Sequence, residues 1–98
     1  MIVKFLSVAE QEFIEAVNYY NDQCQGLGYE FAAEISRTME RIVSFPQAWP
    51  KISPRARRCL TNKFPLGVLY QIRDDTILVI AIMHTKRDPI HWKNRLNQ

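Results

Sequence analysis

Three prolines within nine residues, Pro46, Pro50 and Pro54, divide the 98-residue chain into two halves with different apolar patterns. Before them, apolar residues recur every three or four positions, which is the period of an amphipathic helix. After them, apolar and polar residues alternate or form short β-branched runs, which is typical of strands. Because proline lacks a backbone N–H and has a fixed φ, we expect no regular structure between Pro46 and Pro54. The length favours one domain, residues 1–98, with a helical half and a sheet half.

The first half is predicted to contain a short strand, Ile2–Leu6, followed by two helices. Ser7 and Glu10 form the pattern of a capping box at the start of the first helix. Residues 25–28, which include two glycines, interrupt the helical pattern, and Pro46 ends the second helix. The apolar stripes are Phe13, Ala16, Val17, Tyr20 and Cys24 in the first helix, and Phe31, Ala32, Ile35, Met39, Ile42 and Val43 in the second. These stripes predict an antiparallel helix hairpin with its aromatic residues in the core.

The second half is predicted to supply three further strands. They are Arg57–Phe64, Val68–Arg73 and Thr76–Met83, separated by turns at Pro65–Gly67 and Asp74–Asp75. Thr76–Met83 is apolar on both faces and is expected to be a covered, central strand, while Trp49 closes one end of the core. The predicted fold class is therefore α+β with the order β-α-α-β-β-β, in which a two-helix hairpin packs on one face of a mostly antiparallel four-stranded sheet.

The charges of the two halves differ in sign. Residues 1–50 hold three basic and seven acidic side chains, a net charge of −4, whereas residues 51–98 hold ten basic and three acidic ones, a net charge of +7. Such asymmetry indicates a polyanionic or acidic partner for the second half, and the alternative is two solvated faces that differ in sign. We expect the basic residues between positions 55 and 95 to line the open face of the sheet. Because no apolar run approaches membrane-spanning length and the N-terminus turns acidic early, a cytoplasmic location without membrane contact is expected.

Several short motifs follow one another along nearly the whole chain. They are A-E-x-E-F-x-E-A-V-x-Y-Y from Ala9 to Tyr20, Gly26-Leu27-Gly28, Arg57-Arg58-Cys59-Leu60, F-P-x-G-V-x-Y from Phe64 to Tyr70, A-I-M-H-x-x-R-D-P from Ala81 to Pro89, and Trp92. In this order and at these spacings, they resemble the RelE/ParE superfamily, the toxins of bacterial type II toxin–antitoxin systems. The resemblance implies a toxin that inhibits bacterial growth and is neutralised by a cognate antitoxin.

Members of this superfamily act on different targets although they share one fold, so the fold alone does not identify the target. RelE-like toxins cut mRNA on the ribosome, and ParE-like toxins inhibit DNA gyrase. A third alternative is a relative that has lost activity and survives as a partner of its antitoxin. The resemblance to RelE-like nucleases implies no metal and no cofactor, because basic groups stabilise the charge that develops on the phosphate.

The resemblance also implies site residues. The catalytic candidates are Arg87, Lys86, Arg57 and His84, and the candidates for binding RNA or another target are Arg58, Tyr70, Arg73, Trp92, Lys93 and Arg95. Arg57 and Arg58 are neighbours in a strand and point to opposite faces, so only one of them lines a site; we assign Arg57. His84 is a candidate because an imidazole can act as a general acid or base, with a structural role as the alternative. The alternative for Tyr70 is a hydrogen-bond anchor, and the alternative for Trp92 is a cap on the core.

Two departures from the RelE-like pattern weaken the nuclease interpretation. Gly67 stands near the position where RelE-like nucleases carry an arginine on a strand. Trp92 lies near the position of their C-terminal catalytic aromatic, but an indole only donates hydrogen bonds and does not shuttle a proton. The pattern His-x-x-Arg-Asp-Pro, from His84 to Pro89, is common in ParE-like members. The sequence therefore leaves an mRNA endonuclease, a gyrase inhibitor and an inactive relative open.

Overall fold

A computed structural model describes residues 1–87 together with Arg95. Its elements are β1 (Ile2–Phe5), α1 (Ser7–Gln23), α2 (Leu27–Ser44), β2 (Lys51–Ser53), β3 (Ala56–Leu60), β4 (Leu66–Arg73) and β5 (Thr76–His84). The strands form one sheet in the order β1-β5-β4-β3-β2, in which β1 is parallel to β5 and all other pairs are antiparallel. The predicted α+β class and helix hairpin are confirmed, with five strands instead of four. Within the described residues, neither helix combines the length and the apolar content that a membrane span requires.

The additional strand, β2, lies inside the proline-rich segment that was expected to lack regular structure. Lys51 and Ser53 pair with the start of β3, and the carbonyl of Pro50 accepts a hydrogen bond of 3.0 Å from the Arg58 N–H. The prediction was wrong because β2 is an edge strand. At an edge, a flanking proline costs no ladder hydrogen bond, since its missing donor would face away from the sheet.

The predicted capping box at Ser7 is not formed. Leu6 precedes the first helical residue, no side chain caps α1, and the Glu10 N–H donates to the Leu6 carbonyl at 3.0 Å. The Leu6 N–H itself donates to Val79 of β5 at 2.9 Å. The chain therefore passes directly from β1 into the helix, and Ser7 is already inside the first turn.

The two glycines between the helices have different roles. Gly26 adopts a φ of 88° and makes the turn, which is a conformation that glycine adopts without steric cost. Gly28 was expected to belong to the interruption, but it lies in the first turn of α2, and its N–H donates to Asn21 Oδ1 at 2.8 Å. A Cβ atom at Gly28 would lie 2.2 Å from the Val17 carbonyl oxygen. At Gly28, α1 and α2 therefore lie too close together to accommodate a side chain at this position.

The β4–β5 hairpin agrees with the prediction at its turn and differs at its other end. Asp74 and Asp75 form the two-residue turn, with Asp74 at a φ of 54°. β4 begins at Leu66, which pairs with His84, so Leu66 and Gly67 belong to the strand and not to a turn. The preceding loop is held by Thr61, whose hydroxyl donates to the Phe64 carbonyl at 2.6 Å.

The main core lies between the helices and the sheet. Its aromatic centre includes Phe13, Tyr20 and Phe31, as predicted, and Phe64, whose ring centroid lies 4.8 Å from that of Tyr20. Trp49 packs against the edge of this core, which confirms its expected place.

The opposite face of the sheet is not the open, basic surface that was predicted. It holds a second buried cluster, formed by Ala56, Leu69, Ile80, Ala81 and Met83. The cause is the apolar composition of β4 and β5 on both faces, which favours covered strands. Of the predicted basic lining, strand alternation places Arg58 and Arg73 on this face.

Candidate functional site

The four predicted catalytic residues form two separate groups. His84, Lys86 and Arg87 lie at the C-terminal end of β5 and in the turn after it, and all three are exposed. His84 Nδ1 accepts a hydrogen bond of 3.1 Å from the Lys86 N–H. Arg57 lies in β3 and pairs with Tyr70, near the middle of β4. The structure therefore brings three of the four residues together and leaves Arg57 apart.

Arg57 is held by the loop between α2 and β2. Its guanidinium donates to the carbonyls of Gln47 at 3.0 Å and Trp49 at 2.8 Å. Its register partner is Tyr70 of β4, and cross-strand partners point to the same face. Since Tyr70 belongs to the main core, Arg57 lies on the helix side of the sheet. The guanidinium thus fastens a loop to β3 and does not face the end of β5.

The separation between the two groups follows from the register of β4. Arg57 pairs with Tyr70, whereas His84 pairs with Leu66, four residues away on the same strand. Four residues span roughly 13 Å along a strand, and β3 and β5 lie roughly 10 Å apart across β4. The buried side chains of Val68 and Tyr70 lie between the two groups. One phosphate cannot contact both groups in this arrangement.

Arg87 and His84 line a groove between α1 and the end of β5. Its volume is about 490 Å³, and its other polar lining residues are Glu12, Glu15 and Tyr19. Glu12 is already paired with Arg95, at 2.8 Å, so Glu15 is the carboxylate that repels a phosphate and offsets the charge of Arg87. The groove is therefore less suited to an anion than Lys86 and Arg87 in the sequence suggested.

The position of the expected strand arginine is apolar. Gly67 pairs with Leu60, and a Cβ atom at Gly67 would lie 3.1 Å from the Cγ and Cδ atoms of Arg58. The stem of Arg58 and the side chain of Leu60 thus cover the glycine. Arg58 supplies a cation next to Gly67, but Gly67 itself does not supply the arginine that the RelE-like pattern places there.

Tyr70, a predicted target-binding residue, is fully buried. Its hydroxyl donates to the Pro46 carbonyl at 2.6 Å. Burial raises the pKa of Tyr70 to about 12, although the nearby Arg57 charge lowers it in part. This geometry matches the alternative reading of Tyr70 as a hydrogen-bond anchor between β4 and the loop after α2.

The anchor can be tested by the substitution Tyr70→Phe. We expect a loss of about 1 kcal/mol in the free energy of unfolding, because the buried Pro46 carbonyl loses its donor. Since the folded pKa is raised, the wild-type contribution is present below pH 10 and is lost as the pH rises towards 12. Urea denaturation at pH 7 to 11 measures both effects. Tyr29→Phe, at a side chain that is 71% exposed, is the control and should unfold like the wild type.

Arg95 has a structural partner. It forms an ion pair with Glu12 at 2.8 Å and donates to the Ile80 carbonyl at 3.0 Å, while Glu12 accepts from the Ile82 N–H at 3.1 Å. These bonds occupy the edge of β5 beyond the end of β1. The other two candidates in this part of the chain, Trp92 and Lys93, lie outside the described residues.

A basic cleft at the other end of the sheet was not predicted as a site. We use this name for the cleft of about 420 Å³ between the β2–β3 turn and the end of β4, whose charged lining residues are Lys51, Arg55, Arg57 and Arg73. None of the described residues that line it is acidic. The sequence did not indicate Lys51, because it lies in the proline-rich segment that was expected to be irregular, and it indicated Arg55 only as one of the basic residues expected on the open face of the sheet. Within the described chain, no cluster of three or more His, Cys, Asp or Glu is placed to hold a metal ion.

A helix hairpin on one face of a mostly antiparallel sheet, with positive charge concentrated in the sheet half, is the architecture expected of the RelE/ParE class. The sequence matches the family described as "ParE toxin of type II toxin-antitoxin system, parDE" over residues 3–89, and the chain belongs to this family. It is therefore the toxin of a type II toxin–antitoxin system, and its family implies a cognate antitoxin as partner. No curated protein matches the sequence.

Two solved structures share the fold. One is from the chromosomal ParDE toxin–antitoxin system of P. aeruginosa, with a TM-score of 0.69, 14% identity, and coverage of 86% of this chain and 95% of that one. The other is the isolated RelE toxin of E. coli, with a TM-score of 0.63, 14% identity, and coverage of 98% and 96%. At this identity, the similarity establishes the fold but not the cellular target, which has to be inferred from the residues of this chain.

Proposed function

We propose that this toxin inhibits bacterial growth by binding DNA gyrase in the cytoplasm, and that it does not cut mRNA. The observation that carries the proposal is the separation of Arg57 from the group at the end of β5. The match to the ParE family supports the same target class.

Metal-independent RNA cleavage requires several groups around one phosphate. A base must take the proton of the 2′-hydroxyl, cations must stabilise the pentavalent state, and an acid must protonate the leaving oxygen. In this chain Arg57 binds two backbone carbonyls, Arg87 shares its groove with Glu12 and Glu15, and Gly67 carries no side chain. The arrangement is poorly suited to assembling a phosphoryl-transfer site, which favours a toxin that acts by binding its target.

Two assays with the purified toxin test the proposal. The first measures supercoiling of relaxed plasmid by gyrase, and the second measures mRNA cleavage in a translating extract. We expect the wild type to reduce supercoiling at least tenfold at saturating toxin and to leave the mRNA intact.

The variant Arg87→Ala sharpens the comparison, with Lys63→Ala as a control that removes one exposed positive charge elsewhere. Cleaved mRNA with unchanged supercoiling would contradict the proposal. The contradiction would be complete if Arg87→Ala, and not Lys63→Ala, abolished that cleavage. Inactivity in both assays would instead favour an inactive relative of the toxins.

A further inference from the structure

We propose that the antitoxin binds this toxin by placing an extended segment with acidic and apolar side chains along the open edge of β3. The site, which we call the β3 edge groove, has a volume of about 430 Å³ and is lined by Arg41, Trp49, Pro50, Arg58, Leu60 and Asn62. The inference rests on the toxin family, which gives the chain an antitoxin as partner, and does not depend on the gyrase proposal.

The edge of β3 is covered by β2 along part of its length. β2 pairs with β3 at Ala56 and Arg57, and the next N–H, that of Arg58, donates to the Pro50 carbonyl at 3.0 Å. Leu60 is the last residue of β3 and lies beyond this pairing. The strand therefore has an open edge at its C-terminal end.

The Leu60 N–H is a hydrogen-bond donor on this open edge. The Thr61 N–H bonds to Leu66 of β4 at 3.0 Å, so by alternation the backbone groups of Leu60 face away from β4. The Leu60 carbonyl accepts from the Arg41 guanidinium at 3.0 Å. In the described part of the chain, no group accepts from the Leu60 N–H. Such an edge is a template for an added strand.

Apolar side chains that a partner can cover surround the open edge. Leu60 is 48% exposed, and Phe45 is 67% exposed. Phe45 lines a second hollow of about 500 Å³, which shares Arg41 and Trp49 with the β3 edge groove. Since successive side chains of an added strand point to opposite faces, one would meet Trp49 on the helix side and the next would meet Leu60 on the other side. Exposed aromatic residues beside arginines are typical of protein–protein interfaces.

The charges of the β3 edge groove favour an acidic segment. Its charged lining residues, Arg41 and Arg58, take part in no ion pair among the described residues. The Arg41 guanidinium lies 5.9 Å from the centroid of the Trp49 ring, a cation–π contact that leaves its charge intact. Glu40 lines the second hollow and not the groove. A carboxylate of the antitoxin would therefore be attracted to this edge.

Other occupants fit the groove less well. The free edges of the sheet carry Lys4 on β1 and Lys51 on β2, and Arg58 borders the groove itself. Edge pairing between two copies of the chain would thus bring like charges together. A folded enzyme has most of its backbone groups already paired. An antitoxin segment that becomes ordered on the toxin keeps its N–H and C=O groups available until it binds.

Hydrogen exchange of the backbone amides, followed by NMR, tests the pairing in the wild-type toxin. The free toxin is compared with its complex with the full-length cognate antitoxin. The Leu60 amide should exchange about a hundredfold more slowly in the complex, because a bonded amide exchanges only when its hydrogen bond opens. The Val3 amide, on the opposite edge of the sheet, should exchange at the same rate in both states.

A pair of proline variants tests the same hydrogen bond by affinity. Leu60→Pro removes the free N–H and no bond of the toxin itself, so an edge strand should tolerate it. The control Val3→Pro removes a donor on β1 that also faces away from the sheet, since the Ile2 N–H bonds to Asp75 beside β5. We expect Leu60→Pro to bind the antitoxin about tenfold more weakly than the wild type and Val3→Pro to bind within about threefold of it. Circular dichroism verifies the fold, and hydrogen exchange decides if the proline variant does not fold.

Two further pairs of variants test the side chains. Phe45→Ala should weaken antitoxin binding about tenfold, because it truncates an exposed aromatic beside the groove, while Tyr29→Ala, at a ring that is 71% exposed, should stay within about threefold. Arg58→Gln should weaken binding about fivefold and lower its salt dependence, while Lys63→Gln, at an exposed position outside the groove, should change neither.

Four results would overturn the inference. They are a Leu60 amide that exchanges equally fast in the complex, equal losses of affinity in the two proline variants, equal losses in Phe45→Ala and Tyr29→Ala, and an Arg58→Gln variant that binds like the wild type. Supercoiling assays on the same variants separate the antitoxin from the target. Retained inhibition of gyrase with weakened antitoxin binding supports the inference, and lost inhibition with unchanged antitoxin binding would assign the groove to the target instead.

Discussion

Gly28→Ala is expected to destabilise the toxin by about 3 kcal/mol, which is the upper part of the range for overpacking a close contact. The new Cβ would lie 2.2 Å from the Val17 carbonyl oxygen and 2.6 Å from Asn21 Cγ. Val17 O is a backbone atom of α1, so only a shift of one helix relative to the other relieves the clash. At an unconstrained helix position the same change would stabilise the protein, since alanine has the higher helix propensity.

Urea denaturation followed by circular dichroism measures this effect. Gly67→Ala is the matched control, because the atoms nearest its Cβ would belong to side chains and not to backbone, namely Cγ and Cδ of Arg58 at 3.1 Å and Cδ2 of Leu60 at 3.2 Å. We expect the control to change the free energy of unfolding by less than about 1 kcal/mol, since flexible side chains yield at low cost. A variant at Gly28 that unfolds at the wild-type urea concentration would contradict the close approach of α1 and α2.

Gly28 also illustrates what the sequence alone does not reveal. In the sequence, two glycines around Leu27 indicate a break between helices, and Gly26 with its positive φ fulfils that expectation. The role of Gly28 depends on a tertiary contact with α1, whose position is fixed only when both helices pack on the sheet. Local propensity therefore placed the helix start a few residues too late.

Elements with strong local signals were predictable. The apolar stripes located both helices and the aromatic core, and Asp74–Asp75 located the β4–β5 hairpin. β2 was not predictable, because a three-residue edge strand between prolines is stabilised by its pairing with β3 and not by its own sequence.

The candidate sites follow the same division. His84, Lys86 and Arg87 lie close together because they are neighbours in sequence, and the motif alone indicated them. The basic cleft joins Lys51, Arg55 and Arg73 from separate segments, so it exists only once β2, β3 and β4 pair. The position of Arg57 also depends on tertiary structure. The register of β3 and the hydrogen bonds to the carbonyls of Gln47 and Trp49 keep its guanidinium away from the end of β5.

Glu34→Ala is expected to cost about 2–3 kcal/mol, because it removes the acceptor of several buried or partly buried donors. Glu34 is 1% exposed. It accepts 2.6 Å from the Asn62 N–H, which fastens the β3–β4 loop to α2, and 2.9 Å from the Arg37 guanidinium. Arg37 is half exposed, so water screens its ion pair with Glu34. Most of the loss in the free energy of unfolding should therefore come from the unpaired Asn62 N–H and from the cavity that the Glu34 side chain leaves. Glu40→Ala, at an exposed position of the same helix, should change stability by less than about 0.5 kcal/mol.

The charge of Glu34 makes this loss depend on pH. Burial alone would raise the pKa of its carboxyl group, but the donors at Asn62 and Arg37 together outweigh burial and hold the pKa below its ordinary value. A lowered folded pKa means that the carboxylate contributes stability above the unfolded pKa of about 4.3, and that this contribution disappears as the pH falls through the folded value. The difference in urea midpoint between wild type and Glu34→Ala should therefore be constant from pH 7 to 5 and shrink from pH 5 to 3. A difference that stays constant down to pH 3 would mean that hydrogen bonding to the neutral carboxyl, and not its charge, secures the loop.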